Sequence, residues 1–173
     1  MIYITGDTHG EEGRFQYTDS VIEKTLKEND KLIICGDWGY ISDDSYKERL
    51  FLSFLAEKPY QILWVDGNHE NFDLINEYPV EEWCGGKINR VRRNVIPLKR
   101  GQVFDLQGKK IFTMGGAYSI DCATRKLGYS YWEEELPSDI EYKEAVANLK
   151  KNDFAIDYIV THTAPKELVL YMG

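Results

Sequence analysis

The chain has 173 residues, 43% of them apolar, and a formal net charge of −8, which is enough for one domain with a sizeable core and too little for two comfortable ones. Its acidity opposes non-specific attraction to nucleic acid or to an anionic membrane surface, and no run approaches the roughly 18 apolar residues of a membrane span. Cys35, Cys84 and Cys122 are odd in number and widely spaced, against a disulfide framework or a zinc knuckle; with no leader before the first strand pattern, a cytoplasmic location is expected.

The apolar run Met1–Ile4 reads as a strand that stops at Thr5-Gly6 and delivers Asp7-Thr8-His9-Gly10. In an extended segment positions i and i+2 share a side, so Asp7 and His9 are expected to reach one ion from one direction. Both residue types suit a borderline divalent metal. A capping box, Ser20-x-x-Glu23, then opens a helix carrying Val21, Ile22 and Leu26 and expected to run to about Asn29. Lys31–Cys35 is a short apolar run of the kind found in buried central strands, and it ends at Gly36-Asp37. A second box, Ser45-x-x-Glu48, opens a helix with Tyr46, Leu50, Phe51, Phe54 and Leu55 at the 3.6 period, stopped by Lys58-Pro59. Gln61–Val65 is the third buried strand, followed by Gly67-Asn68-His69-Glu70.

Strands alternating with helices predict parallel β-α-β units, which place like strand ends on one side. The middle of the chain reads differently. Val95–Leu98, Gln102–Leu106 and Lys110–Met114 are short strands of an antiparallel meander, with a turn at Gln107-Gly108. Residues 115–139 form a long irregular stretch holding Asp121, Arg125 and Trp132, of which 115–137 are expected to roof a pocket at the strand ends. Asp139–Lys151 is a helix, and Asp157–Thr161 a last strand ending at His162.

All three histidines, His9, His69 and His162, lie at or just after such strand ends. Taken singly, Asp37, Asn68 or His162 is more ordinarily a helix cap, a turn residue or a satisfied loop residue. Four strand ends carrying ligand-type groups together point to one shared site.

In order and type, Asp7-Thr8-His9, Gly36-Asp37, Gly67-Asn68-His69-Glu70 and His162 resemble the D-x-H, G-D, G-N-H-[DE] and single-His motifs of the calcineurin-like metallophosphoesterases, over nearly the whole chain. The resemblance implies an α/β fold, a four-layer α-β-β-α sandwich with two mixed β-sheets, built as a single domain over residues 1–173. It implies two divalent metal ions: Asp7 and His9 hold the first, Asp37 bridges, and Asn68 with His162 holds the second. His69 would be the catalytic acid near the leaving group and Asn68 would also contact substrate, with Arg125 a candidate substrate contact that the resemblance itself does not supply. The implied reaction is hydrolysis of a phosphomonoester or phosphodiester by a metal-bridging hydroxide. Two cations roughly 3.5–4 Å apart lower the pKa of a shared water and clamp the phosphoryl oxygens; a protonated His69 adds about 10²–10⁴ in rate. Imidazole and carboxylate without thiolate suit Mn²⁺, Fe or Zn²⁺ better than Mg²⁺ alone, and Mn²⁺ is preferred. The expected partner is a small phosphorylated substrate, with nucleotide or nucleic acid open but not favoured by charge, no membrane, and the protein partner unknown.

The sequence departs from the family pattern in two places. Gly36-Asp37-Trp38-Gly39-Tyr40-Ile41 lacks the second Asp of G-D-x-x-D and the following R-G. Asp43, Asp44 and Asp66 are candidate supports for His69, and Arg125 and Arg14 candidate phosphate contacts, with a solvated side chain the plainer reading of each. The chain also contains no G-H-x-H and stops eleven residues after His162, so the domain is expected to be C-terminally incomplete or a naturally short form. The rival reading is a catalytically impaired protein that keeps the fold as a binding module or truncated fragment. The Arg90, Arg92, Arg93, Lys99 and Arg100 cluster is read as a solvated loop and edge strand. Tyr129, Tyr131 and Trp132 are left between stacking on a nucleobase or aromatic ester and packing on the core as a lid.

Overall fold

Strand β1 (Ile2–Thr5) pairs parallel with β2 (Lys31–Cys35), β2 with β3 (Gln61–Val65), and β3 with β6 (Val95–Pro97), so that the first sheet has the order β1-β2-β3-β6. The computed structural model describes residues 1–165, 168 and 171. Strand register sets Thr5 beside Ile34 and Cys35 beside Val65, which brings three carboxyl ends level at one rim.

Period-two alternation explains why these strands are apolar on both faces. Leu32, Ile34, Ile62 and Trp64 point to one side, into a cluster with Phe15 of α1 (Gly13–Gln16) and Phe51, Leu52 and Leu55 of α3 (Tyr46–Ala56). Ile33, Leu63, Val65 and Ile96 point to the other. There they meet Phe104 and Leu106 of β7 (Gln102–Leu106), Ile111 of β8 (Lys109–Met114) and Val160 of β9 (Tyr158–Thr161). This second sheet has the order β7-β8-β9 and buries Val103 and Phe112 against Ala145 and Leu149 of α5 (Asp139–Lys151). The clusters therefore stack helix, sheet, sheet and helix, and the α/β class expected from the sequence holds. Mixed pairing is confined to the second sheet, where β7–β8 is antiparallel and β8–β9 parallel.

Several local expectations are corrected. Val95–Pro97 joins no meander; it closes the parallel sheet beside β3. The helix begun by Ser20, α2 (Val21–Thr25), stops well short of Asn29 because Leu26 is extended and the Asp30 carboxylate takes the Lys27 N–H and the Met1 ammonium instead. In α3 the buried residues are Phe51, Leu52 and Leu55, while Tyr46, Leu50 and Phe54 are exposed. Ser45 caps α3 as expected, but the Glu48 carboxylate gathers the N–H groups of Ser42, Asp43 and Asp44 rather than closing a reciprocal box. A short helix α4 (Phe72–Asn76) and a hairpin of β4 (Val80–Trp83) with β5 (Gly86–Asn89) lie between β3 and β6 and were not anticipated. Arg100, read as solvated, is buried and donates through Nε to Asp66 at 2.5 Å. Among the described residues no helix is long and apolar enough to cross a membrane.

Candidate metal centre

Asp37 occupies the middle of the rim. It follows β2, is buried, and holds a left-handed backbone with φ +45°. Its carbonyl accepts the N–H groups of Thr8 at 3.1 Å and His9 at 2.9 Å, which fastens the loop after β1 to the loop after β2. Its Oδ1 accepts the His69 N–H at 2.9 Å, fastening the loop after β3 as well. The carboxylate then faces two imidazoles. Oδ2 is 3.6 Å from His9 Nε2, and Oδ1 is 3.7 Å from His162 Nε2.

Asp7 flanks the same space, with Oδ2 at 3.6 Å from His9 Nε2 and Oδ1 at 3.6 Å from His162 Nδ1. Asp7, His9 and Asp37 each offer a ligand atom within 4.8 Å of the others. Asp7 and His9 do lie side by side, though not by the extended geometry expected: His9 is left-handed at φ +45°, and the turn held by the Asp37 carbonyl aims its ring.

His162 comes from the other sheet, at the end of β9, and crosses the seam to reach this rim. Room for it depends on Gly36, whose φ is +100°; a Cβ there would lie 2.1 Å from His162 Nδ1. Gly67 serves the same purpose for Asp37, since a Cβ would fall 2.0 Å from Oδ1. His162 Nδ1 is 2.8 Å from the Cys35 carbonyl, and Nε2 is 3.1 Å from Asn68 Oδ1. A carbonyl only accepts, so the neutral ring carries its proton on Nδ1 and turns the Nε2 lone pair toward Asn68 Oδ1 and Asp37 Oδ1. With the ring neutral, three acceptors converge there, a donor set that fits a cation. The Cys35 thiol is pushed up by burial, with the Asp7 charge adding to it, so it stands as a neutral thiol beside this oxygen and nitrogen set.

Glu70 is buried behind the rim. Its Oε1 accepts the Trp38 N–H at 2.8 Å and the Gly67 N–H at 3.4 Å, a strut between the loops after β2 and β3, while Oε2 has no partner. Burial is the main reason its pKa is pushed up to about 8, because desolvation favours the uncharged acid.

His69 lies on the exposed lip of the site, its ring 5.7 Å from that of His9 and edge-on to it. None of its three candidate supports reaches it: Asp43 accepts the Ser45 N–H, Asp44 pairs with Arg49, and Asp66 with Arg100. Arg14 pairs with Glu11. Arg125 does come to the site, but from behind Asn68, where Nη1 donates to Ser119 Oγ at 2.6 Å. Asn68 Nδ2 donates to the same hydroxyl at 3.0 Å. Trp132 is buried, with Nε1 donating to Asp73, whereas Tyr129 is exposed. Ser119 and Glu135, both buried beside Asn68, escaped sequence reasoning because an irregular loop has no periodicity to mark its inward positions.

The family model of the calcineurin-like phosphoesterases matches residues 1–172 of the chain. Comparison with the curated proteins and with solved structures returns no match.

Proposed function

The chain belongs to the calcineurin-like phosphoesterases, and from that premise we propose that it hydrolyses a small phosphomonoester or phosphodiester with two divalent cations held by Asp7, His9, Asp37, Asn68 and His162. Family membership supports metal-dependent phosphoester hydrolysis in general; the residue roles and the substrate are our reading. The observation that carries it is the Asp37 carboxylate, one oxygen facing His9 and the other facing His162. Asp7 and His9 would complete the first site, and Asn68 Oδ1 and His162 Nε2 the second.

Bound cations would polarise the phosphoryl oxygens and activate water. The protein's own residues do the rest. The Asp37 carbonyl and carboxylate hold three loops in register, so the ligand atoms are positioned before substrate arrives. His69, exposed at the lip, protonates the departing oxygen. Beside His9 a cavity of about 260 Å³, lined by Tyr40, Phe51 and Lys47 together with Glu12, Asp43 and Glu48, gives the leaving group room. Arg14 and Arg125 are engaged with protein partners, so the phosphoryl charge is met chiefly by the cations. The mixed oxygen and imidazole set favours Mn²⁺, and three free cysteines suit the cytoplasm.

The test is turnover of p-nitrophenyl phosphate and bis(p-nitrophenyl) phosphate in Mn²⁺. Activity that EDTA removes and Asp37→Ala abolishes is expected. Two bound Mn²⁺ without turnover of either ester would assign the chain to the non-catalytic reading instead.

A further inference from the structure

We propose that Ser119, held by Glu135 and Arg125, is a positioning residue that fixes the amide of Asn68 so that its oxygen, not its nitrogen, faces the second cation; the inference rests on the two-cation reading above. The Ser119 hydroxyl has one proton and two lone pairs, and all three are in use. It donates to Glu135 Oε2 at 2.5 Å and accepts from Asn68 Nδ2 at 3.0 Å and from Arg125 Nη1 at 2.6 Å. Arg125 Nη2 lies 3.3 Å from Glu135 Oε1 and 3.5 Å from the Asn68 carbonyl oxygen, and the Trp132 N–H donates to Glu135 Oε1 at 3.4 Å.

The direction of the chain of hydrogen bonds is what matters. An ionised carboxylate only accepts, so Glu135 obliges the hydroxyl to donate toward it, and Ser119 then has only lone pairs left for Asn68. The amide must answer with its NH₂ group. A reversed Asn68 would set oxygen against oxygen at Ser119 and turn an NH₂ group toward the space between Asp37 and His162, where it would repel a cation. Ser119 and Glu135 are 2% and 1% exposed, so water does not substitute readily for either partner. Among the described residues, Ser119, Glu135 and Arg125 form no hydrogen bond with Asp7 or His9, so the effect should be confined to one site.

The experiment is equilibrium dialysis of the full chain against Mn²⁺ alone, with bound metal measured by atomic absorption. The parent should bind two ions. In Ser119→Ala one of the two sites should lose about 10- to 100-fold in affinity, the scale found when the support of a metal ligand is removed, while the other is unchanged. Ser119→Thr, which keeps the hydroxyl, should restore the affected site. Glu135→Gln, which can donate and so breaks the one-way order, should repeat the Ser119→Ala result if that variant folds poorly. Equal affinities in parent, Ser119→Ala and Glu135→Gln would overturn the inference alone. Uniform weakening of both sites would also overturn it, as the mark of a merely structural role. A parent that binds no Mn²⁺ would overturn it together with the two-cation reading.

Discussion

His162 Nδ1 lies 2.8 Å from the carbonyl oxygen of Cys35, a contact made across the seam between the two sheets. It fixes the ring tautomer and leaves Nε2 bare toward Asp37 and Asn68. His162→Ala should therefore reduce Mn²⁺ stoichiometry from two to one. Turnover should fall by more than the roughly 10–100-fold that follows loss of a residue merely supporting a ligand. Metal analysis and steady-state rates on the same preparation check both.

Gly36→Ala combines two penalties. The left-handed backbone costs an L-residue about 1–2 kcal/mol, and the new methyl would lie 2.1 Å from His162 Nδ1. The expected outcome is a lowered thermal midpoint together with loss of the second cation. A variant that melts lower but keeps both ions would show that His162 adjusts without leaving the site.

Glu70 predicts a pH signature in the metal-free protein. The folded chain holds its proton up to about pH 8, whereas the ordinary value for the unfolded chain is 4.5. Between those values the folded state binds more protons, so stability falls as pH rises, by at most about 1.4 kcal/mol per pH unit from this group. Glu70→Gln has no proton to lose and should flatten the decline. Urea melts in EDTA across that window check it; parallel curves for parent and variant would refute the assignment.

Arg100 and Asp66 form a buried pair tying the end of β3 to the start of the second sheet. Removing only the guanidinium strands a carboxylate, and Arg100→Ala should cost about 3–5 kcal/mol. Adding Asp66→Asn should recover part of the loss. Urea denaturation of the single and double variants measures the difference.

His69→Gln tests the general acid. A leaving oxygen that departs easily needs little protonation, so the variant should cost little with p-nitrophenyl phosphate and about 10²–10⁴-fold with an alkyl phosphate. The comparison of the two esters is the measurement. Equal losses on both would place His69 in a different role.

The strands and their terminal residues were readable because physics leaves them few options. A strand covered on both faces must be apolar throughout, so Lys31–Cys35 and Gln61–Val65 stand out, and the glycines after them mark where a neighbouring group must come close. The turn at Gln107-Gly108 was visible for the same sort of reason, with φ +55° and +75°. The β4–β5 hairpin was not, because its turn is Cys84-Gly85, with φ +49° and +93°, where Asn, Asp or Gly is the usual first residue.

At the site, the sequence exposed the atoms that face inward but not what holds them. Asp7, His9, Asp37, Asn68 and His162 are chemically marked and do meet. Their supports are ordinary residues: the Cys35 carbonyl, the Asp37 carbonyl, Ser119 and Glu135. Backbone acceptors have no sequence signature, and a serine in an irregular loop becomes informative only once its neighbours are known. Arg125 was named for the right neighbourhood, yet its guanidinium is turned toward Ser119 and Glu135.

The most direct measurement is anomalous scattering at the manganese edge from crystals grown in Mn²⁺. Two peaks are predicted, one among Asp7, His9 and Asp37 and one among Asp37, Asn68 and His162. Diffraction showing no anomalous peak between those side chains, or manganese bound only elsewhere on the chain, would contradict the two-cation site.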